Sequence, residues 1–221
     1  MSVDHQSAVI ERTAPVPSRH SNPFATCWTK PGALNYEFTA GESAESLVAS
    51  LASAHWWGAI VGPHGSGKST LLATLVPLLV GAGRRVSTMA LRDGQRRLPP
   101  EFLPRALVLP QALVVVDGYE QLPSIARLAL QWRCRRMAAG LLVTTHAATN
   151  LPILAALEPN RELVLQLVAR LTRRAPSPVS AADVAASHAC RGSNVREILF
   201  DLYDRHERAR RARQTIAKST A

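Results

Sequence analysis

Runs of consecutive apolar residues recur along the chain and alternate with polar, glycine-rich or proline-rich stretches. Continuous runs rich in valine, leucine and isoleucine are typical of strands that are buried on both faces of a parallel sheet. The pattern predicts strands over 57–61, 85–91, 112–117, 140–146 and 162–167. The clearest is Ala112-Leu113-Val114-Val115-Val116-Asp117, in which a single acid ends an unbroken apolar run.

Apolar residues at helical spacing lie between these predicted strands. They predict helices over 43–51, 68–80, 124–133, 152–157, 180–188 and 194–207. The stretch 92–104 is polar and contains prolines, so we expect a surface loop there. Strands that alternate with helices predict an α/β fold with a parallel sheet flanked by helices.

A glycine-rich segment separates the first of these strands from the following helix. It reads Gly62-Pro63-His64-Gly65-Ser66-Gly67-Lys68-Ser69-Thr70 and matches the pattern G-x-x-x-x-G-K-[ST]. Glycines let backbone N–H groups converge on a phosphate chain, and the start of the helix adds its dipole. Lys68 would reach the outer phosphates, and the hydroxyl of Ser69 would complete a Mg²⁺ shell. The sequence therefore predicts a nucleotide-binding loop.

Polar side chains also end two later strands. Asp117 closes the 112–117 strand, and the carboxyl ends of strands in an open parallel sheet face the ligand crevice. Asp117 is therefore predicted to hold Mg²⁺ together with Ser69, although Asp117-Gly118 is also a turn-forming pair. Thr145 or His146, at the end of the 140–146 strand, is expected near the outermost phosphate.

The order of these motifs resembles the additional-strand P-loop NTPases, and most nearly their AAA+ branch. The resemblance rests on the glycine-rich segment, on Val114 to Asp117, on Thr144-Thr145-His146 and on Gly192-Ser193-Asn194-Val195-Arg196-Glu197. It implies a three-layer P-loop NTPase with a small C-terminal helical lid. It also implies bound ATP and Mg²⁺, a sensor at Thr145, and an arginine, Arg196, that touches the phosphates from the lid. His146 is the alternative sensor, by analogy with the switch histidine of ABC-type ATPases.

One position departs from the AAA+ pattern. A catalytic glutamate usually follows the metal-site aspartate, but this chain has Gly118 there. Glu120 is the nearest acid that can position the attacking water, so the predicted catalytic residues are Lys68, Asp117, Glu120, Thr145 and Arg196. The expected activity is Mg²⁺-dependent ATP hydrolysis. An ATP-gated binding switch with little turnover, and a small-molecule kinase, are the alternatives.

Composition narrows the class of protein further. The 221 residues are 47% hydrophobic, which suits a folded domain with a small annex, and the net charge is +10. The predicted partners are the nucleotide and either a protein client or nucleic acid, which the positive charge permits. Because AAA+ relatives often form oligomers, the resemblance also permits an oligomer. Three widely spaced cysteines, together with the lack of a membrane span or a signal peptide, predict a cytoplasmic protein.

Changes in composition divide the chain into four predicted parts. These are a flexible lead-in over 1–21, the nucleotide-binding domain over 22–172, the lid over 173–207 and a basic tail over 208–221. Within the second part, the aromatic-rich stretch 22–38 is expected either to pack on the domain or to face the adenine.

Overall fold

The computed structural model of the protein describes residues 22–30, 32–34, 36–38 and 41–219. The predicted lead-in over 1–21 lies outside the described residues. The strands are β1 (Trp57–Val61), β2 (Arg85–Ala90), β3 (Ala112–Asp117), β4 (Gly140–Thr145) and β5 (Ile153–Ala156). The helices are α1 (Thr26–Thr29), α2 (Ala44–Ser53), α3 (Lys68–Gly81), α4 (Phe102–Leu107), α5 (Ser124–Arg136), α6 (Arg161–Arg174), α7 (Ala181–Arg191) and α8 (Val195–Ser219). A 3₁₀ turn covers Tyr119–Gln121.

The five strands form one parallel sheet in the order β2-β3-β4-β1-β5. β4 therefore lies between β1, which leads into the glycine-rich loop, and β3, which ends at Asp117. This inserted strand is the feature after which additional-strand P-loop NTPases are named, so the predicted fold class is confirmed.

Helices cover both faces of the sheet, because its central strands are apolar on both sides. Val114, Val116 and Leu141 face α4 and α5, which contribute Leu103, Leu107, Leu130 and Cys134 to the same cluster. On the opposite face, Leu113, Val115 and Leu142 pack with Leu47 and Leu51 of α2 and with Leu71, Leu75 and Leu79 of α3. The molecule therefore has three layers, with the sheet in the middle.

The C-terminal helices α6, α7 and α8 share an apolar cluster of their own and are called the lid below; they begin at Arg161 and end at Ser219, so they extend beyond the predicted range 173–207 at both ends. The members of the cluster from these helices are Val164, Val168, Leu171, Val184, Val195, Ile198, Leu199 and Leu202. Phe24, Trp28 and Leu34 belong to the same cluster, so the described part of the 22–38 stretch packs on the lid. Further along this stretch, Tyr36 and Phe38 pack against the cluster of α2 and α3.

Two predicted elements are wrong. The helix expected over 152–157 is the strand β5, which pairs with β1, because pairing at the sheet edge overrides the helical preference of its leucine and alanines. The strand expected over 162–167 is the start of α6. Asn160 caps that helix by accepting from the N–H of Leu163. Part of the loop expected over 92–104 also belongs to α4.

Candidate functional site

The glycine-rich loop lies between the carboxyl end of β1 and the first turn of α3, as the motif requires. Lys68 is buried, and its Nζ donates to the carbonyls of Gly62 at 2.6 Å and Pro63 at 2.7 Å. Burial lowers the pKa of Lys68, whereas the negative charges of Glu120 and Asp117 oppose that shift. The ammonium group is thus held inside the loop and lies in the electrostatic field of both acids.

Asp117 meets this loop from the end of β3. Its Oδ2 accepts from the hydroxyl of Ser69 at 2.7 Å, and its Oδ1 accepts from the hydroxyl of Thr144 at 2.5 Å. Thr144 in turn accepts from the N–H of Gly118 at 2.9 Å. Three separate segments therefore place hydroxyl and carboxylate oxygens together, and such oxygens are the ligands that Mg²⁺ prefers.

Glu120 belongs to the 3₁₀ turn that follows β3. Arg127 holds this turn by donating to the carbonyls of Glu120 at 2.8 Å and Leu122 at 2.7 Å. The carboxylate of Glu120 lies 3.1 Å from Nε2 of His146, at the end of β4. The His146 ring contacts the ring of His64 from the glycine-rich loop, with centroids 3.5 Å apart. These contacts connect Glu120 to the apex of the loop.

The environment of His146 disfavours a charged imidazole. Burial lowers the pKa of His146 most, and Lys68 and His64 lower it further, against the opposing charges of Glu120 and Asp93. A neutral imidazole has one donor and one acceptor nitrogen, so it can orient the Glu120 carboxylate by a hydrogen bond.

Two buried polar atoms of this region have no hydrogen-bond partner among the described residues, namely Ser66 Oγ and Glu120 Oε2. Buried polar atoms are usually satisfied, so atoms of this kind at a site point to a ligand or water. Ser66 Oγ can donate to a phosphate oxygen of a nucleotide, whereas the Glu120 carboxylate only accepts, so its Oε2 fits a water or a cation.

The other predicted site residues have different surroundings. Thr145 is buried, and its hydroxyl donates to the carbonyl of Ala147 at 3.1 Å. Arg196 is exposed at the start of α8, and its guanidinium lies over the ring of Phe200 at 5.8 Å. The Cβ of Arg196 would nevertheless be 3.2 Å from a Cβ built on Gly65, so the lid and the loop touch at this point.

The sequence interpretation missed three residues around the loop. Thr144, rather than its neighbour Thr145, contacts Asp117. Asn194 lies against Gly65, and the ring of Tyr36 lies near Gly67. Leu142 and Thr144 share one face of β4 by the two-residue period of a strand. Because β4 is buried on both faces, its apolar pattern does not indicate which of the two threonines meets the site.

Within the described ranges, no group of three or more His, Cys, Asp or Glu side chains is arranged to hold a metal ion. A Mg²⁺ ion bound through phosphates needs only one or two protein carboxylates, so this finding is compatible with the Ser69–Asp117 pair. Of the helices in the described part of the chain, none has the length and apolar character required to cross a bilayer.

Known proteins resemble this chain in fold rather than in sequence. No protein-family model matches the chain. No curated protein matches it either. A crystal structure of a DNA replication initiation factor shares 15% identity, with a TM-score of 0.50, and the match covers 73% of this chain and 60% of that one.

Two further solved structures have the same architecture. AMPPCP-bound DnaA from Aquifex aeolicus shares 13% identity at a TM-score of 0.51, over 75% of this chain and 60% of that one. NtrX from Brucella abortus in complex with ADP shares 12% identity at a TM-score of 0.51, over 76% of this chain and 50% of that one. The chain thus spans 50% to 60% of the length of these three proteins. Strand order, loop position and these neighbours together show that the chain has the fold of an additional-strand P-loop NTPase of the AAA+ type.

Proposed function

We propose that this protein binds ATP with Mg²⁺ and hydrolyses it slowly. The observation that carries the proposal is the 2.7 Å hydrogen bond between Ser69 Oγ and Asp117 Oδ2. It brings the first turn of the loop helix and the end of β3 to one place, beside the buried ammonium of Lys68. The structural neighbours bound to AMPPCP and to ADP support the choice of an adenine nucleotide.

The residues of the loop have the chemistry that a triphosphate requires. In this proposal Lys68 moves from the carbonyls of Gly62 and Pro63 to the outer phosphates and neutralises their charge. Ser69 and Asp117 would hold Mg²⁺, which supplies positive charge to the phosphate oxygens during transfer. Thr144 keeps the Asp117 carboxylate in its orientation through a hydrogen bond to Oδ1.

Glu120 is the proposed water-positioning residue, because Gly118 provides no carboxylate. Its Oε1 is held by His146, and its buried Oε2 has no partner among the described residues, so this oxygen can accept from a water. The turn is not the element from which AAA+ enzymes usually supply this group. We therefore expect slow turnover.

Nucleotide binding is proposed to act on the lid through the start of α8. Asn194 lies against Gly65, and Arg196 follows two residues later. Rotation of the Arg196 side chain away from Phe200 would bring its guanidinium toward the phosphates, as proposed for the second sensor. Thr145 remains the predicted first sensor, and Thr144, whose hydroxyl donates to Asp117, is the stronger structural candidate. Nucleic-acid association, which the net charge of +10 permits, stays a prediction.

The first experiment measures phosphate release from ATP by the wild type and by matched variants. Lys68→Ala and Glu120→Gln should each lower the rate by about 10²-fold or more. Thr144→Val should lower it by about tenfold, since it removes one hydrogen bond to Asp117, whereas Thr145→Val should change it by less than about twofold. Equal release from the wild type and Lys68→Ala would contradict the assignment of a hydrolase.

A nucleotide-gated switch is the second candidate, and Gly118 at the position of the usual glutamate favours it. Calorimetry distinguishes the two functions. Tight, Mg²⁺-dependent ATP binding by the wild type without measurable phosphate release would establish the switch and exclude the hydrolase. Loss of ATP binding in Lys68→Ala is expected under both functions. A folded wild-type protein that does not bind ATP would contradict both.

A further inference from the structure

Helix α5 exposes an apolar face that the sheet does not use. Its inner residues Leu130, Gln131 and Cys134 are buried against the sheet. On its outer face Ile125 is 82% exposed, Leu128 is 61% exposed and Trp132 is 62% exposed. Their spacing of three and four residues places these side chains in one stripe along the helix. Ala129 lies in the same stripe, and Met137, just after the helix, is also exposed.

Single exposed apolar residues are ordinary, but a contiguous stripe of large ones on one helix is typical of a binding surface. Trp132 belongs to the stripe, and tryptophan is one of the residue types enriched among the interface residues that contribute most of the binding free energy. The stripe is also separate from the proposed nucleotide site. α5 reaches that region through its inner face, where Arg127 and Gln131 contact the turn that carries Glu120.

The charged residues of α5 itself are all positive. Arg133, Arg135 and Arg136 lie in the last turn of α5, and the helix contains no acid. Arg136 lies over the Trp132 ring at 5.7 Å, and Arg135 lies over the Trp57 ring at 4.9 Å. Among the ion pairs of the described residues, none involves these three arginines. The surface therefore presents apolar side chains beside uncompensated positive charge.

We propose that the outer face of α5 is a docking surface for an acidic, amphipathic helix of a partner protein. A stripe at helical spacing packs against the apolar stripe of a second helix, with ridges entering grooves. Acidic residues beside the partner's stripe would meet the arginines and would speed association. The proposal does not depend on ATP hydrolysis.

Two other occupants fit the surface less well. A second copy of this chain would present the same arginines and no carboxylate from its own α5. In nucleic acid, a base could stack on the Trp132 ring and the phosphates could contact the arginines. However, Ile125, which is the most exposed residue of the stripe, and Leu128 have no group that can donate to a phosphate.

The test is a selection from a displayed library of helical peptides with randomised faces. The full-length wild type is the target, and Trp132→Ala/Arg136→Glu is the counter-target. We expect enriched peptides to carry an apolar stripe flanked by Asp and Glu. A dye-labelled peptide from this pool should bind the wild type by fluorescence anisotropy and should lose about tenfold or more in affinity for Trp132→Ala and for Arg133→Glu/Arg136→Glu.

Val108→Ala is the matched control, because Val108 is 73% exposed but lies outside α5. Its affinity for the peptide should equal that of the wild type, and circular dichroism should show that every variant is folded. A selection that yields no acidic, α5-dependent peptide overturns the proposal. Binding of a labelled single-stranded oligonucleotide that is lost in Trp132→Ala would identify nucleic acid as the occupant and would overturn the proposal. A dimer that sedimentation shows to dissociate in Leu128→Glu would identify a second copy of the chain and would overturn it as well.

Discussion

Gly118 has a backbone conformation that other residues adopt only at a cost in free energy. Its φ is +84°, and a Cβ at this position would lie 2.5 Å from the carbonyl oxygen of Leu91. The glutamate that AAA+ ATPases usually place after the metal-site aspartate therefore cannot be accommodated here without a backbone shift. In the proposed mechanism the carboxylate therefore comes from Glu120, two residues further along.

The cost of a side chain at 118 can be separated into strain and crowding. Gly94 has nearly the same φ, +85°, but a Cβ there meets nothing within 4 Å. We expect Gly94→Ala to lower the free energy of unfolding by about 1 kcal/mol, from backbone strain alone. Gly118→Ala should lower it by about 2 to 4 kcal/mol, because the crowding against Leu91 is added. Urea unfolding of the two variants measures both values, and equal losses would show that the crowding is absent.

At the scale of elements, the start of α8 rests on the glycine-rich loop. A Cβ on Gly65 would lie 1.9 Å from Oδ1 of Asn194, which also caps α8 by accepting from the N–H of Glu197. Gly67 has a positive φ as well, but a Cβ there would meet only the Tyr36 ring, at an ordinary distance of 3.6 Å. A side chain at Gly65 would therefore clash with the lid, whereas a side chain at Gly67 would not.

This difference predicts a coupling between the loop and the lid. Gly65→Ala should lower the free energy of unfolding by about 2 to 4 kcal/mol, and Gly67→Ala by about 1 kcal/mol. In a protein that already carries Asn194→Gly, the cost of Gly65→Ala should fall by about 1 kcal/mol or more. A glycine cap costs α8 only a few tenths of a kcal/mol, so the background remains stable. Urea unfolding without nucleotide measures the free energy of unfolding of the wild type, of the two single variants Gly65→Ala and Asn194→Gly, and of the double variant. Strictly additive losses would mean that the glycine-rich loop and the start of α8 do not touch.

Across the whole molecule, the described residues of the stretch 22–38 connect the lid with the α/β core. Phe24 and Trp28 are buried in the lid cluster, and Tyr36 packs against α2 and α3. The side chain of Asn22 donates to the carbonyl of Tyr203 and to the carboxylate of Glu207 on α8. Glu37 pairs with Arg170 of α6. The lid and the α/β core are therefore held together by a segment that precedes α2 in the chain and contacts both of them.

His206 lies in this connection and makes stability depend on pH. It is buried against Phe24, and its Nδ1 lies 3.0 Å from the hydroxyl of Ser177. Burial lowers the pKa of His206, Arg210 lowers it further, and Glu207 opposes the shift. Because the pKa is lower in the folded state, the unfolded chain binds more protons as the pH falls. His206 therefore contributes stability above its unfolded pKa of about 6.5 and loses it below that value.

We expect the free energy of unfolding to decrease as the pH falls from about 7.5 to about 5.5. His146, whose pKa is also lowered by burial, contributes in the same direction. Replacing His206 by glutamine should make the decrease smaller, since one titrating group is removed. Urea unfolding of the wild type and His206→Gln across this pH range provides the comparison. An unchanged slope in the variant would show that His206 does not titrate in this way.

Local patterns in the sequence were sufficient for the fold class, the glycine-rich loop and the Asp117 strand. Each depends on residues close together in the chain: an apolar run, a glycine spacing and an acid at a strand end. The same information failed for 152–157 and 162–167. Short segments of leucine, valine and alanine suit both helix and strand, so pairing with β1 and packing within the lid determined their structure.

Only the tertiary structure decided which polar residues meet. β3 and β4 are buried on both faces, so their apolar pattern does not indicate which alternate residues face α3. Val116 pairs with Val143 in the sheet, which places Asp117 beside Thr144, on the face shared with Leu142 and Val115. Contacts between distant residues that the sequence did not predict, such as Thr144 with Asp117 and Gly65 with Asn194, depend on strand register and helix packing. Those are properties of the folded chain as a whole, and no local pattern encodes them.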